Sequence, residues 1–169
     1  MEYKQVDFMK ITKSLNKVKI ISGGQTGVDR AALDAAIELG LQYGGFCPKG
    51  RQAEDGIISD KYNLTELHTS KYIGRTLKNV EKSDGTLIVH AGIVAGGTWK
   101  TKDYCQIAGK PFFEINLLKN LKIIPVNFDN WIKEHQIIIM NIAGPRESQV
   151  SVYDRSFSVL MDIFTHITI

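Results

Sequence analysis

The stretch IISGGQTGVDRAALDAA, residues 20–36, decides the predicted fold. A run of β-branched residues ends in Ser22-Gly23-Gly24, and apolar residues at helical spacing begin at Val28. Strand, glycine turn and helix in this order are typical of a backbone that binds an anion, because free N–H groups and partial positive charge meet at the helix N-terminus. The stretch therefore predicts an anion site, and the rest of the chain bears on which anion it takes.

The composition is that of an ordinary soluble domain, with 43% hydrophobic and 23% charged residues in a chain of 169. We expect one domain over residues 1–169, with a helical extension at 1–16. A net charge of +3 spread over scattered Lys and Arg suits a small anionic ligand and does not indicate a nucleic-acid partner. Two cysteines without a CxxC pair indicate no structural zinc and fit a reducing cytosol. No segment reaches the roughly twenty apolar residues that span a bilayer, so we expect a cytoplasmic protein without a membrane partner.

Predicted strands and helices alternate along the chain. Strands are predicted at residues 17–22, 41–47, 85–91, 111–115 and 136–144. Helices are predicted at residues 3–15, 28–39, 73–83, 99–108 and 127–135, with a last one that ends near 165. A polar stretch at 47–67 is predicted to be a long loop. This alternation predicts an α/β fold, Rossmann-like and doubly wound, with a mostly parallel sheet and helices on both faces.

Three glycine turns are expected to meet at the carboxyl edge of this sheet, which is where ligands bind in such folds. They are residues 22–27, 92–98 and 144–148. Each turn alone also fits tight packing or helix punctuation, but three at one edge favour a ligand, because glycine lets the backbone approach it closely. Hydroxyl and guanidinium groups beside the turns can bond phosphate oxygens. The candidate ligand-binding residues are Gly23, Gly24, Gln25, Thr26, Gly27, Arg30, Lys49, Gly96, Gly97, Thr98, Arg146 and Glu147.

The sequence contains none of the common catalytic signatures. HExxH, GxSxG and a paired-carboxylate pattern are absent, and the first turn is neither GxGxxG nor a Walker A loop. Asp29 near a helix start can simply complement the helix dipole, or it can orient Arg30 or a cation. Arg30 and Lys49 fit either phosphate contact or a solvated surface. The residues thus predict a binding protein rather than an enzyme, and no catalytic residue or metal ligand.

Four segments taken together resemble a known family. ISGGQTGVDRAALDAA, GGFCPKGRQAEDG, SDGTLIV with GGT, and NIAGPRES are similar to the molybdenum carrier-like family, a branch of the SLOG superfamily of Rossmann-like proteins that includes YpsA and Lonely Guy types. The resemblance runs from residue 17 to the C-terminus. It implies molybdenum cofactor, a phosphorylated pterin, or a nucleotide-like phosphate as the ligand, and a homo-oligomer, either dimer or tetramer. It points to the glycines and threonine of the first two turns and to Arg146.

Two other functions stay open at this point. A Lonely Guy-type nucleotide N-glycosidase or phosphoribohydrolase has a fuller PGGxGTxxE pattern with a glutamate, whereas this chain reads AGGTWKTKDY at 95–104. In that case Asp103 or Glu54 would have to replace the missing acid. A nucleotide-ligand sensor that acts through protein contacts is the third possibility.

Overall fold

The structure is a computed structural model that describes residues 18–119, 121 and 124–166. Its strands are β1 Lys19–Ile21, β2 Tyr43–Gly44, β3 Phe46–Cys47, β4 Gln52–Ala53, β5 Gly56–Ile57, β6 Thr65–Glu66, β7 Gly85–His90, β8 Phe112–Asn116 and β9 Ile139–Ala143. Its helices are α1 Val28–Glu38, α2 Tyr72–Glu81, α3 Gly96–Ile107, α4 Ile124–Glu134 and α5 Tyr153–His166. The predicted opening helix at 3–15, and with it the extension at 1–16, lies outside the described residues.

The central sheet has five parallel strands in the order β2-β1-β9-β7-β8. When the strands are counted from β9 instead of β1, this order becomes 3-2-1-4-5, which is the order of a Rossmann sheet. The predicted fold class is therefore confirmed, with the last strand of the chain at the centre. The strand order reverses between β9 and β7, so the ligand crevice is expected beyond the carboxyl ends of these two strands.

Helices cover the sheet in two groups. α1, α4 and α5 pack together, and α2 packs on α3. Every residue of β7 is buried, as its nearly continuous apolar run indicates for a parallel strand covered on both faces. The small-residue face of α1, which includes Ala32 and Ala36, is fully buried and allows close approach to α5.

Two helix or strand starts differ from the predictions by three residues: α4 begins at Ile124 rather than at 127, and β9 begins at Ile139 rather than at 136. Glycine explains two further differences. α3 begins at Gly96 rather than at residue 99, because two glycines read as turn residues form the first helical turn after an extended Ala95. The predicted strand at 41–47 is split into β2 and β3 at Gly45, whose φ of 127° interrupts a regular strand.

The predicted loop at 47–67 is more structured than its sequence indicates. It contains a 3-10 turn at Lys49–Arg51, the antiparallel pair β4–β5, and β6, which pairs with β3. One guanidinium, that of Arg51, donates hydrogen bonds to four backbone carbonyls of the segment, those of Ile58, Ser59, Tyr62 and Leu64. The segment also buries a small apolar cluster against Leu33 of α1. These hydrogen bonds and apolar contacts hold the segment in place, although it forms only short two-residue strands.

The partly buried carboxylate of Asp34 connects the same segment to α1 and α5. Asp34 of α1 accepts hydrogen bonds from the Tyr153 hydroxyl at 2.7 Å, the Tyr62 hydroxyl at 3.0 Å and the Lys61 ammonium at 2.9 Å. Burial, with a further contribution from Asp34, raises the pKa of Tyr153, so the hydroxyl stays a donor at neutral pH.

We expect Asp34→Ala to lower the free energy of unfolding by about 2 kcal/mol, because two partly buried hydroxyls lose a charged acceptor. Urea unfolding at neutral pH measures the effect. Glu38→Ala, on the exposed end of the same helix, is the matched control and should change stability little. Equal stability of the two variants would contradict the role of Asp34.

Candidate functional site

A polar cleft opens at the point where the strand order reverses. The end of β9 forms its floor, and residues of α1, α2, α3 and the first and third glycine turns form its walls. Its empty space, including the open mouth, is about 510 Å³.

All three predicted glycine turns reach this cleft, but only part of each lines it. Five of the predicted residues lie on its surface: Gly23, Gln25, Gly97, Thr98 and Arg146. Seven do not contribute to the lining: Gly24, Thr26, Gly27, Arg30, Lys49, Gly96 and Glu147. That the first five bind a ligand stays a prediction.

The glycines of the first turn make room for protein atoms. A Cβ atom on Gly23 would lie 2.6 Å from the Cδ atom of Arg75, and one on Gly24 would lie 2.6 Å from a methyl group of Leu64. A Cβ atom on Gly27 would lie 2.5 Å from the carbonyl oxygen of Pro145. Gly24 and Gly27 also have positive φ angles, of 73° and 76°. The glycine spacing therefore reflects close packing as well as any approach to a ligand.

The N-terminus of α1 is closed by the protein itself. The Val28 amide donates to the Pro145 carbonyl at 3.3 Å, because the third turn lies directly on the helix end. The Gln25 amide donates to the Asp29 carboxylate at 3.3 Å, and the Thr26 amide donates to the Gln25 side chain at 3.0 Å. Amides that the sequence assigns to phosphate thus already have acceptors.

The N-terminus of α3, in contrast, faces the cleft without a cap. Its N-cap residue, Ala95, makes no side-chain hydrogen bond to the helix, and the first amides of a helix have no intrahelical acceptor. Thr98 and Gln25 line the cleft and are each 3% exposed. Among the described residues, neither the Thr98 hydroxyl nor the Gln25 Nε2 has a hydrogen-bond partner. A buried polar group without a partner costs about 1–3 kcal/mol, so these two groups point to an external acceptor.

Two charged residues that the sequence did not assign to the site lie inside it. Asp29 is 6% exposed, and Nη1 of Arg75 lies 3.5 Å from its carboxylate and 3.4 Å from the Gly23 carbonyl. Burial raises the pKa of Asp29, and the Arg75 charge opposes this effect only in part. Arg75 comes from α2, which follows no glycine turn. The only sequence signal for Arg75 was its spacing of four residues from Asn79, which puts both side chains on the same face of a helix. Both residues line the cleft.

Two predicted side chains bind other parts of the protein, and a third is exposed to solvent. Arg30 forms a bidentate pair with Asp55 and also donates to the Gly24 carbonyl. Glu147 caps α5, since its carboxylate accepts hydrogen bonds from the backbone amides of Val152 and Tyr153, at 3.0 and 2.9 Å. The Lys49 side chain is exposed and lies outside the cleft lining.

Glu54 ties three segments together next to the cleft. Its carboxylate accepts hydrogen bonds from the Thr26 hydroxyl and from the hydroxyl and amide of Ser148, and it lies 3.8 Å from Nε of Arg146. Its own amide donates to Gln25. Burial tends to raise the pKa of Glu54, but the hydrogen bonds from Ser148 and Thr26 outweigh it, so the pKa lies below its ordinary value.

We expect Glu54→Gln to lower the free energy of unfolding by about 1 kcal/mol at pH 7. Because the folded-state pKa is depressed, the contribution of Glu54 is present above the ordinary carboxyl pKa of 4.5 and disappears as the pH falls through the folded-state value. Urea unfolding as a function of pH should therefore show a difference at pH 7 that vanishes in acid. The exposed Glu134→Gln substitution should show no such difference at any pH.

The fold and the cleft define a Rossmann-like α/β protein with a polar crevice at its switch point. The chain belongs to the Circularly permutated YpsA SLOG family, which matches residues 20–164. A circular permutation explains why the last strand, β9, occupies the position of the first strand of a Rossmann sheet.

A solved structure from Syntrophus aciditrophicus SB, described as "Putative molybdenum carrier protein", is similar to this chain. The two sequences are 43% identical over 88% of this chain and 95% of that chain, with a TM-score of 0.84. No curated protein matches the chain significantly. The family resemblance predicted from the four segments is thus confirmed.

Three further findings concern the described residues. No described helix is long and apolar enough to cross a membrane. Within the described part of the chain, no three His, Cys, Asp or Glu side chains are grouped so that they could hold a metal ion. Both cysteines, Cys47 and Cys105, are buried and unpaired.

Proposed function

We propose that the protein binds and carries a phosphorylated pterin or a nucleotide-like ligand in this cleft without transforming it. Molybdenum cofactor is the first candidate, because a structural relative is described as a molybdenum carrier. The observation that supports the proposal is the uncapped start of α3 beside the unpartnered buried donors of Thr98 and Gln25.

This arrangement suits a phosphate group. Its oxygens are acceptors only, and the cleft offers them the free amides of a helix N-terminus, a hydroxyl and an amide nitrogen. Thr76, Thr101 and Gln149 add polar groups on the walls, which suit the edges of a pterin or purine ring. In the cofactor itself the dithiolene sulfurs hold the molybdenum, so the cleft needs no protein ligand for the metal.

Equilibrium binding of molybdenum cofactor to the purified protein tests the proposal. We expect Thr98→Val, which keeps the shape of the side chain and removes its hydroxyl, to weaken binding about tenfold. Thr65→Val on exposed β6 is the matched control and should bind like the wild type. Failure of the wild type to bind would overturn the proposal, and equal binding by Thr98→Val would overturn this placement of the phosphate.

Asp29 favours one alternative, a nucleotide N-glycosidase. A buried carboxyl with a raised pKa is what a general acid requires, and Asp29 lines the cleft whereas Glu54 and Asp103 do not. Incubation with nucleoside monophosphates decides between the two functions. If the wild type releases free base and Asp29→Asn does not, the protein is an enzyme and the carrier proposal is overturned. If the nucleotides stay intact, the carrier proposal is supported.

We also propose that the protein is a homo-oligomer. The apolar side chains of Ile73 and Leu77, four residues apart on α2, and of Ile107 on the adjacent helix α3 are exposed. Contiguous exposed apolar surface is typical of protein interfaces. We expect light scattering to give a dimer or tetramer and Ile107→Glu to reduce its mass, whereas Glu38→Ala should leave the mass unchanged. A monomeric wild type would overturn this proposal.

A further inference from the structure

We propose that Arg75 and Arg146 form a two-arginine clamp for the terminal phosphate of a phosphomonoester. The inference rests on the proposed ligand cleft and adds to it the residue that the glycine turns did not reveal, together with the class of phosphate ester that the site binds. It is carried by the positions of the two guanidinium groups around one aromatic ring, that of Tyr72.

The position of Arg75 is set before any ligand binds. Its side chain is 13% exposed and lies directly over Gly23, where a Cβ atom would be only 2.6 to 2.9 Å from the guanidinium end of the side chain. Nη1 is held by the Gly23 carbonyl and the Asp29 carboxylate. Nε and Nη2 donate no hydrogen bond to the described residues. The guanidinium is therefore fixed on one side and has free donors on the other.

Arg146 approaches the same ring from the third glycine turn. Its Cζ atom lies 5.6 Å from the centroid of the Tyr72 ring, and the Cζ atom of Arg75 lies 5.7 Å from it. Both distances are within cation–π range, and both arginines line the same cleft. Glu54 lies 3.8 Å from Nε of Arg146, and no described residue accepts a hydrogen bond from the Arg146 guanidinium, so its donors remain available.

Each arginine has one carboxylate beside it. Glu54 lies 3.8 Å from Nε of Arg146, and Asp29 lies 3.5 Å from Nη1 of Arg75. Among the described residues, the other nitrogens of the two guanidinium groups have no hydrogen-bond acceptor. These donors are therefore left for the oxygens of an anionic ligand group.

The geometry of guanidinium narrows the ligand class further. Each planar fork binds two oxygens of a phosphate at once, so two forks need three unsubstituted oxygens, which a terminal phosphomonoester provides. A phosphodiester has two free oxygens and one charge and therefore fills the clamp poorly. The ligand class is a phosphomonoester rather than a nucleoside, a cyclic nucleotide or a dinucleotide.

Titration calorimetry with AMP, 3′,5′-cyclic AMP, adenosine, inorganic phosphate and molybdenum cofactor tests the clamp. We expect AMP to bind at least about tenfold more tightly than cyclic AMP or adenosine. Inorganic phosphate that binds as tightly as AMP would support the clamp with a free tetrahedral anion as its source, and weaker binding would support a phosphate ester. Equal affinity for AMP and adenosine would overturn it.

Two variants probe Arg75 while keeping a positive charge at this position. Arg75→Lys keeps the charge and removes the fork, and Gly23→Ala displaces the guanidinium from its place. We expect each to weaken AMP and molybdenum cofactor binding about tenfold, with a circular dichroism melt showing that both variants fold. Arg155→Ala, which removes an exposed arginine outside the cleft, should change nothing.

The outcome separates the clamp from the proposed function. If the wild type binds molybdenum cofactor and both Arg75→Lys and Gly23→Ala bind it equally well, the clamp is overturned and the carrier proposal stands. Wild-type protein that binds AMP through Arg75 but does not bind molybdenum cofactor overturns that choice of cargo and leaves the clamp intact.

Discussion

Replacing Gly45 by alanine is expected to lower the free energy of unfolding by about 4 kcal/mol, enough to prevent stable folding of a marginal domain. Gly45 has a φ of 127°, a conformation that L-residues rarely adopt. A Cβ atom here would lie 2.1 Å from the carbonyl oxygen of Ser22 and 2.7 Å from its nitrogen. These are backbone atoms directly after β1, which is paired with β2 and β9 in the main sheet, so neither partner can move without breaking the sheet.

Gly56→Ala is the matched control. Gly56 has a similar φ of 119°, but a Cβ atom there would meet no other atom within 4 Å. It therefore carries the conformational cost alone, about 1–3 kcal/mol. Denaturant unfolding of both variants isolates the steric part as their difference, and an equal loss in both would contradict the close approach of Gly45 to Ser22.

Removal of Arg75 has the second large effect. We expect Arg75→Ala to destabilise the protein by about 3 kcal/mol at pH 7, because it leaves the Asp29 carboxylate buried without its cation. Asp29→Asn added to this variant should recover most of the loss, since the remaining amide carries no charge. Arg155→Ala, at an exposed position, should cost little.

The sign of the pH dependence gives an independent check. The pKa of Asp29 in the folded protein is already above the ordinary carboxyl value of 3.8, and without Arg75 it rises further. A raised carboxyl pKa means that protonation stabilises the fold, so the deficit of Arg75→Ala is full above the raised pKa and shrinks as the pH falls below it. A deficit that is the same in acid and at neutral pH would show that Asp29 is not its cause.

The sequence predicted the parts of this protein that depend on neighbours along the chain. The apolar run at residues 85–90 is a buried strand, and the alanines from Ala31 to Ala36 form the packed face of a helix. Both follow from side-chain periodicity, which is a local property. The loop at 47–67 escaped prediction because its order comes from the Arg51 side chain, which bonds carbonyls up to thirteen residues away.

The candidate site also has features that the sequence predicted and features that it did not. The positions of the glycine turns at the carboxyl edge could be predicted, since every strand-to-helix turn of a parallel sheet lies there. The sequence could not predict which hydrogen-bonding groups remain free for a ligand. The Val28 amide is bonded to the Pro145 carbonyl, and Gly23 makes room for the Arg75 side chain. These partners are distant in sequence and carry no shared pattern.

By itself, the sequence determined the α/β class, the glycine turns at one edge and, through four segments, the family. Only the tertiary structure decided that β9 lies at the centre of the sheet, that α3 rather than α1 presents a free N-terminus, and that Arg75 enters the cleft. The physical reason is the separation along the sequence over which each kind of interaction acts. Periodicity and turn chemistry act over a few residues, whereas strand order and the pairing of polar groups depend on contacts such as that of Ser22 with Ile142, 120 residues apart.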